Sequence, residues 1–361
     1  MDRVYNFSAG PATLPHEVVL KAQAELLSFK DSGMSVMEIS HRSDLYTTMA
    51  SEAEQDLRDL MQIPDNYEVL FLQGGATQMF YTLPLNFANQ AHRVGYINTG
   101  HWSERAEEEA RYVSGLTVEE VGSSADQHFT ELVHQVTLNG DYDFIHLTTN
   151  NTIEGTMYRD LPELDGRTLV ADLSSNFLGQ IYNVNDFGII YAGAQKNSGI
   201  AGLTVAIVRK DLLEQVPDLP AMLSFSKQAA KHSALNTPPV FAIYMAGLVF
   251  KWIKEQGGVA AMQKRNEAKA QLLYEFLDSS NLFRNPVVSA DRSTMNIPFV
   301  TGDADLDALC VQEATKQGLM SLKGHKSVGG LRASLYNAMT IDGVQALVKF
   351  LGEFEKEHGG K

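Results

Sequence analysis

The sequence predicts an α/β protein, with a large domain built on a mostly parallel seven-stranded sheet and a smaller α/β C-terminal domain. Apolar runs at 68–72, 94–97, 116–121, 144–148, 168–171, 188–192 and 203–208 alternate with loops and helical stretches, as strands buried on both faces do. Asn236-Thr237-Pro238-Pro239 breaks the chain before a long helix of about 239–255, and Gly257-Gly258 then marks the passage into a second unit. A length of 361 residues is enough for one large core and one smaller core. The expected boundaries are 1–14 for an N-terminal segment associated with the small domain and the active site, 15–256 for the large domain, and 257–361 for the small one.

Taken in order, Asn6-Phe7-Ser8-Ala9-Gly10-Pro11-Ala12 is irregular at its Gly-Pro pair, and Pro15 opens a helix expected to reach about Phe29. Leu45, Met49, Ala53, Leu57 and Leu60 recur at helical spacing and leave His41 and Arg42 on the loop that precedes them. After the 68–72 strand comes Gln73-Gly74-Gly75-Ala76-Thr77, a tight strand-to-helix turn. Such a turn either serves structure alone or presents backbone N–H groups to a phosphate at the helix start, and so short a motif does not separate the two. Trp102 follows a strand-end glycine and either packs on the sheet or offers a flat face to a ring.

Thr149-Asn150-Asn151-Thr152 ends the 144–148 strand in polar groups, and Thr237 stands as a candidate cap for the long helix. The C-terminal part shows a helix of about 259–278, a strand at 295–299, a helix at 305–317, strands near 319–322 and 331–336, and a last helix through Val344, Leu347, Val348, Leu351 and Phe354. Between its last two strands lies Lys323-Gly324-His325-Lys326-Ser327-Val328-Gly329-Gly330-Leu331-Arg332. That loop is either solvated or converges its bases on an anion.

Two strand ends carry the chemistry. The 188–192 run closes in Gly193 and Ala194, which have no bulk, and then presents Gln195 and Lys196. The 168–171 run closes in Asp172, followed by Ser174 and Ser175. A lysine alone most often covers surface, but a lysine and an acid at neighbouring strand exits are the pair that pyridoxal phosphate chemistry needs. The amine makes the Schiff base, and the carboxylate keeps the pyridine nitrogen protonated. Ligands in open α/β sheets lie beyond the carboxyl ends of the strands, so Thr77, Trp102, Thr152, Asp172 and Lys196 all fall on the expected side.

Bulk properties narrow the partners. A net charge of −15 argues against nonspecific binding to nucleic acid or anionic membranes, though bases can still converge locally on a small anion. The single cysteine, Cys310, sits in a helical pattern, excludes an intrachain disulfide framework and fits a reducing compartment. Met1 to Asn6 lack a basic stretch followed by an apolar one, and no apolar run is long enough to span a bilayer, so a cytoplasmic location is expected. No His/Cys cluster has metal-ligand spacing.

The ordered set FSAGPATLP, SVMEISHRS, LFLQGGATQMF, TNNTIEGT, ADLSSN, IYAGAQKN, NTPP and GLRASLYNAM resembles the phosphoserine aminotransferase family over essentially the whole chain. The resemblance implies fold type I of the pyridoxal-phosphate enzymes and amino transfer from L-glutamate to 3-phosphooxypyruvate, giving O-phospho-L-serine and 2-oxoglutarate. A related phosphorylated keto acid of pyridoxine synthesis is also implied as a substrate in many bacterial members. By the same resemblance Lys196 carries the Schiff base, Asp172 pairs with the pyridinium and Trp102 stacks on the ring. Ala76, Thr77 and Gln195 hold the cofactor phosphate, and Thr152 sits near the phenolic oxygen. Asn236 and Thr237 reach the phosphate in the neighbouring subunit of a homodimer. Arg332 holds the substrate carboxylate. His41, Arg42, His325 and Lys326 receive the distal anion, with Arg42, His325 and Lys326 supplied by the partner subunit. Two positions depart from the family pattern: Lys326 stands where many relatives have arginine, keeping the charge without the planar fork, and Ala9 stands where some have serine.

Three rivals are weaker. A cysteine desulfurase-like lyase needs a reactive thiol on a mobile loop, which Cys310 does not offer. A silent cofactor-binding scaffold has no need for both Lys196 and Asp172. An NAD-dependent dehydrogenase lacks its GxGxxG after an early strand.

Overall fold

The computed structural model describes residues 3–359; Met1, Asp2, Gly360 and Lys361, at the two ends of the expected domains, lie outside the described residues. The chain opens with β1 (Tyr5–Asn6) and α1 (His16–Glu25), then α2 (Asp44–Met61), β2 (Tyr67–Gln73), α3 (Ala76–Phe87), β3 (Arg93–Asn98), α4 (His101–Ala110) and β4 (Thr117–Ser123). Four strands follow, β5 (Phe144–Thr148), β6 (Leu169–Asp172), β7 (Ile189–Gly193) and β8 (Leu203–Arg209), and then the short helices α5 (Lys210–Leu213) and α6 (Phe225–Ala229). The remainder is α7 (Val240–Glu255), α8 (Gly258–Ser279), β9 (Asn296–Phe299), α9 (Ala304–Lys316), β10 (Leu319–Met320), β11 (Leu331–Ser334) and α10 (Ile341–His358).

The central sheet has seven strands in the order β2-β8-β7-β6-β5-β3-β4. All its pairings are parallel except the two made by β8, which runs antiparallel to both β7 and β2. Every residue of β5, β6 and β7 is buried, because helices cover both faces. Ile145, Leu147, Ala171, Ile190 and Ile207 point to the core shared with α2 and α7. Phe144, Val170, Ile189, Tyr191 and Val208 point to the core shared with α3 and α4. The alternation is the two-residue period of a strand.

A second core gathers Leu273, Leu277, Phe299, Leu331, Leu347 and Leu351 with Phe7 from the N-terminal segment. Phe7 arrives there because β1 runs parallel to β10, pairing Tyr5 with Leu319. The seam between the two cores is polar. Asn150 Nδ2 donates to Asn296 Oδ1 at 2.8 Å, the Asn337 backbone N–H donates to Asn197 Oδ1 at 2.9 Å, and Asn266 Nδ2 donates to Asn337 Oδ1 at 2.8 Å. Gly155 belongs to the same seam: its φ is +86°, and a Cβ there would lie 2.3 Å from Pro298.

Local expectations differ from the structure at three places. Helix α1 ends at Glu25 rather than near Phe29; by Ser28 the backbone is extended, with φ −150° and ψ 94°, and Lys30 and Asp31 then take positive φ. Thr237 does not cap α7, whose N-cap is Pro239 without a side-chain hydrogen bond. Its carbonyl instead accepts from Gln73 Nε2 at 2.6 Å. The 295–299 and 331–336 strands are shorter than expected but pair antiparallel as β9 and β11.

Lys269 locks the small unit. The residue is 2% exposed, and its Nζ donates to the carbonyls of Leu335, Tyr336 and Met339 at 2.6, 2.8 and 3.0 Å. Burial, then the charge of Arg265, pulls its pKa down to about 7, while three carbonyls match the three hydrogens of the ammonium. Lys269→Met keeps most of the volume and strands three acceptors. A loss of about 3 kcal/mol or more is expected from the urea-unfolding midpoint, and an unchanged midpoint would refute the role.

Candidate active site

The parallel strands deliver their carboxyl ends to one edge, and there a cavity of about 310 Å³ opens, lined by residues that include Ala9, Gly75, Ala76, Thr77, Trp102, Thr152, Asp172, Gln195, Lys196, His325 and Arg332. Asp172 is the last residue of β6 and is 5% exposed. Its Oδ1 accepts from the Ser174 backbone N–H at 2.8 Å. Burial raises its pKa, opposed by the Lys196 charge, by Ser174 and by the Tyr191 hydroxyl from the residue paired with it on β7. A cation placed against this carboxylate would stabilise its ionised form.

Lys196 leaves the turn after β7 and donates from Nζ to Thr152 Oγ1 at 3.2 Å, with Nζ 5.8 Å from the Trp102 ring centroid. Burial lowers its pKa to about 8; Arg332 acts in the same direction and Asp172 opposes both. A sizeable fraction of the amine is therefore neutral near physiological pH, as a nucleophile and proton carrier requires.

Helix α3 begins at Ala76 with Gly75 as its N-cap and no side-chain cap, which leaves first-turn N–H groups facing the cavity. A Cβ at Gly193 would lie 2.9 Å from Gln195 Oε1 and 3.5 Å from the Ala76 nitrogen, so the bare strand end keeps this corner open. Trp102 heads α4 and packs its ring 6.5 Å from Phe80. The Trp102 Nε1 and Thr148 Oγ1 atoms are buried and have no hydrogen-bond partner among the described residues.

Arg332 sits on β11 and donates to the Thr152 carbonyl at 3.2 Å. His325 accepts or donates at Nδ1 with Ser327 Oγ at 2.7 Å, and its ring lies 5.7 Å from His101. Burial lowers its pKa, with His101, Arg332 and Lys326 adding to the effect. His325 lines this chain's own cavity: its loop starts from β10 and returns on β11, the strand carrying Arg332. Lys326 on the same loop is exposed and lies outside the cavity lining, as do His41, Arg42, Asn236 and Thr237. Ala9 lines the cavity with its carbonyl held by the Tyr336 hydroxyl at 2.7 Å.

Sequence reasoning missed several members. Thr148 and Asn150 were read only as a strand end and a polar exit, and Ser174 proves to anchor the lysine strand by accepting from the Gly193 N–H at 3.0 Å. Glu154, unremarkable in sequence, holds the start of α4 by accepting from the His101 N–H at 3.0 Å. No group of His, Cys, Asp and Glu able to hold a metal occurs among the described residues.

The donor set fits pyridoxal phosphate. A buried acid faces an amine of lowered pKa, an uncapped helix start offers N–H groups, and an indole borders the gap between them.

Comparison with known proteins agrees. The aminotransferase class-V family model matches residues 4–347. The chain is 61% identical over 356 residues to the phosphoserine aminotransferase of Lactiplantibacillus plantarum, covering 98% of this chain and 99% of that one. It is 53% identical over 360 residues to the phosphoserine aminotransferase of Listeria monocytogenes, covering 100% and 99%. The solved phosphoserine aminotransferase of Bacillus circulans subsp. alkalophilus superposes with a TM-score of 0.96 at 40% identity over 99% of both chains. The solved pyridoxal-phosphate-bound enzyme from Trichomonas vaginalis gives 0.91 at 40% identity over 97% of this chain and 100% of that one. On the family match and these full-length relatives, the chain belongs to the class-V aminotransferases, within the phosphoserine aminotransferase family.

Proposed function

We propose that this chain is a pyridoxal-phosphate-dependent phosphoserine aminotransferase. It transfers the amino group of L-glutamate reversibly to 3-phosphooxypyruvate, giving O-phospho-L-serine and 2-oxoglutarate. The observation that carries the reading is the single cavity in which Lys196, Asp172, Arg332 and the start of α3 meet. When bound, the cofactor supplies an aldehyde for an amine to condense with and a ring that accepts electrons from the bond broken at the substrate Cα.

The chain's residues do the rest. Asp172 would pair with the ring nitrogen and keep its proton in place, and Trp102 would cover one ring face. The Ala76 and Thr77 N–H groups, with Gln195, hold the phosphate. Thr152, already bonded to Lys196, stands by the phenolic oxygen. With its amine free, Lys196 Nζ would take the proton from the substrate Cα and hold it for return. Arg332 clamps the substrate carboxylate in bidentate fashion. His41, Arg42, His325 and Lys326 receive the distal phosphate or γ-carboxylate, with Arg42 and Lys326 contributed by a partner subunit. Asn236 and Thr237 reach the partner's cofactor phosphate, so the working form is a homodimer, and its location is cytoplasmic. The related phosphorylated keto acid of pyridoxine synthesis carries the same two anionic groups, a carboxylate and a distal phosphate, and belongs to the same reading. The expected domain limits, 15–256 and 257–361 with 1–14 joining the small domain, are kept as part of it.

Incubating the protein with pyridoxal phosphate, O-phosphoserine and 2-oxoglutarate should yield glutamate. Serine without its phosphate should react far more slowly, and equal rates would overturn the distal-anion assignment. Arg332→Lys keeps the charge and loses the planar fork, so kcat/KM for both amino donors should fall on the order of 10²-fold.

A further inference from the structure

Glu154 sits two residues after Thr152, in the loop between β5 and the seam. Its Oε1 accepts from the His101 N–H at 3.0 Å, at the first residue of the helix that carries Trp102. Its Oε2 is buried and has no hydrogen-bond partner among the described residues. The fit is close: a Cβ on Gly100, whose φ is +156°, would lie 2.5 Å from that oxygen. Among the groups facing it, Arg332 on β11 attracts its charge and Glu104 on α4 repels it. The His101 ring, on the residue whose N–H Glu154 holds, lies 5.7 Å from the His325 ring. Arg332 in turn feels Glu154 as a stabilising charge. A buried carboxylate with one oxygen unbonded, two residues from the Thr152 carbonyl that Arg332 holds at 3.2 Å, is a countercharge in waiting, since an incoming carboxylate on that arginine would be a like charge in a poorly solvated space.

We propose that Glu154 is a positioning residue that serves as the resident countercharge of Arg332 and gives up that role, by taking a proton from solvent, when a substrate carboxylate seats on the arginine. The inference rests on the reading of Arg332 as the carboxylate clamp. Charge then balances at the site before and after binding, while Oε1 keeps its hold on the start of α4 in both states. Burial already brings the Glu154 pKa up to about 7, so the uptake falls in the physiological range.

The test is calorimetric titration of the holoenzyme with glutarate, a dicarboxylate with neither amino nor keto group, in buffers of different ionisation enthalpy. At about pH 7.5, wild type should take up roughly half a proton more per glutarate than Glu154→Gln, which keeps the acceptor for His101. Glu154→Gln should also bind glutarate at least about threefold tighter than wild type above roughly pH 8, because the repelling charge is gone. His325→Asn serves as the control for proton uptake by the neighbouring ring. Equal uptake in wild type and Glu154→Gln, with binding still dependent on Arg332, overturns this inference and leaves the functional reading standing. Glutarate binding unchanged in Arg332→Met overturns the clamp and the inference together. Wild type alone also decides: its glutarate affinity must fall at least about threefold between about pH 6.5 and 8.5, and a flat profile overturns the proposal.

Discussion

Lys196→Ala should abolish turnover of O-phosphoserine with 2-oxoglutarate, lowering kcat by about 10⁴-fold or more, with the protein still folded. The side chain bears two roles at once, covalent attachment and proton transfer at the substrate Cα. Its surroundings tune it for both: burial brings the amine to about pKa 8, and the single hydrogen bond to Thr152 Oγ1 is loose enough to release it. Because this amine is the group proposed to condense with the cofactor aldehyde, its loss should change the cofactor's absorption as well as the rate. Steady-state kinetics together with borohydride trapping distinguishes the outcomes. Persistent turnover, or a borohydride-stable adduct in the variant, would remove Lys196 from its place.

The second large effect is expected at Asp172. Asp172→Asn preserves shape and the acceptor for the Ser174 N–H while removing the charge that holds a proton on the ring nitrogen. A drop in kcat on the order of 10³-fold is expected, with KM changed little, because the lost interaction strengthens as electrons flow into the ring. The site has no second acid to substitute: Glu154, near Arg332, is committed to the start of α4. A variant retaining more than about a tenth of wild-type kcat would show that the ring nitrogen is protonated by other means.

Much of this was legible before any coordinates. Parallel strands place their carboxyl ends on one edge, so a lysine after one apolar run and an acid after another had to approach each other, and Lys196 and Asp172 do lie in one cavity. The runs themselves were visible because β5, β6 and β7 are buried throughout. Direction was not visible: an apolar run such as 203–208 reads the same whether β8 is parallel or antiparallel. Lys269 gave no signal in sequence, since its three acceptors lie 66, 67 and 70 residues further along the chain. Glu154 gave no signal for a similar reason; its meaning depends on Gly100, His101 and Arg332, which only the fold brings near.

Neutral amide side chains bridge the seam between the two cores, through Asn150, Asn197, Asn266, Asn296 and Asn337. Neutral partners are not weakened by dissolved ions. The two halves should therefore hold their alignment in concentrated potassium chloride, conditions that weaken the pull of the mouth's basic side chains on an incoming anion. Salt ought to act on how readily reactants are captured and leave the architecture around the amine untouched.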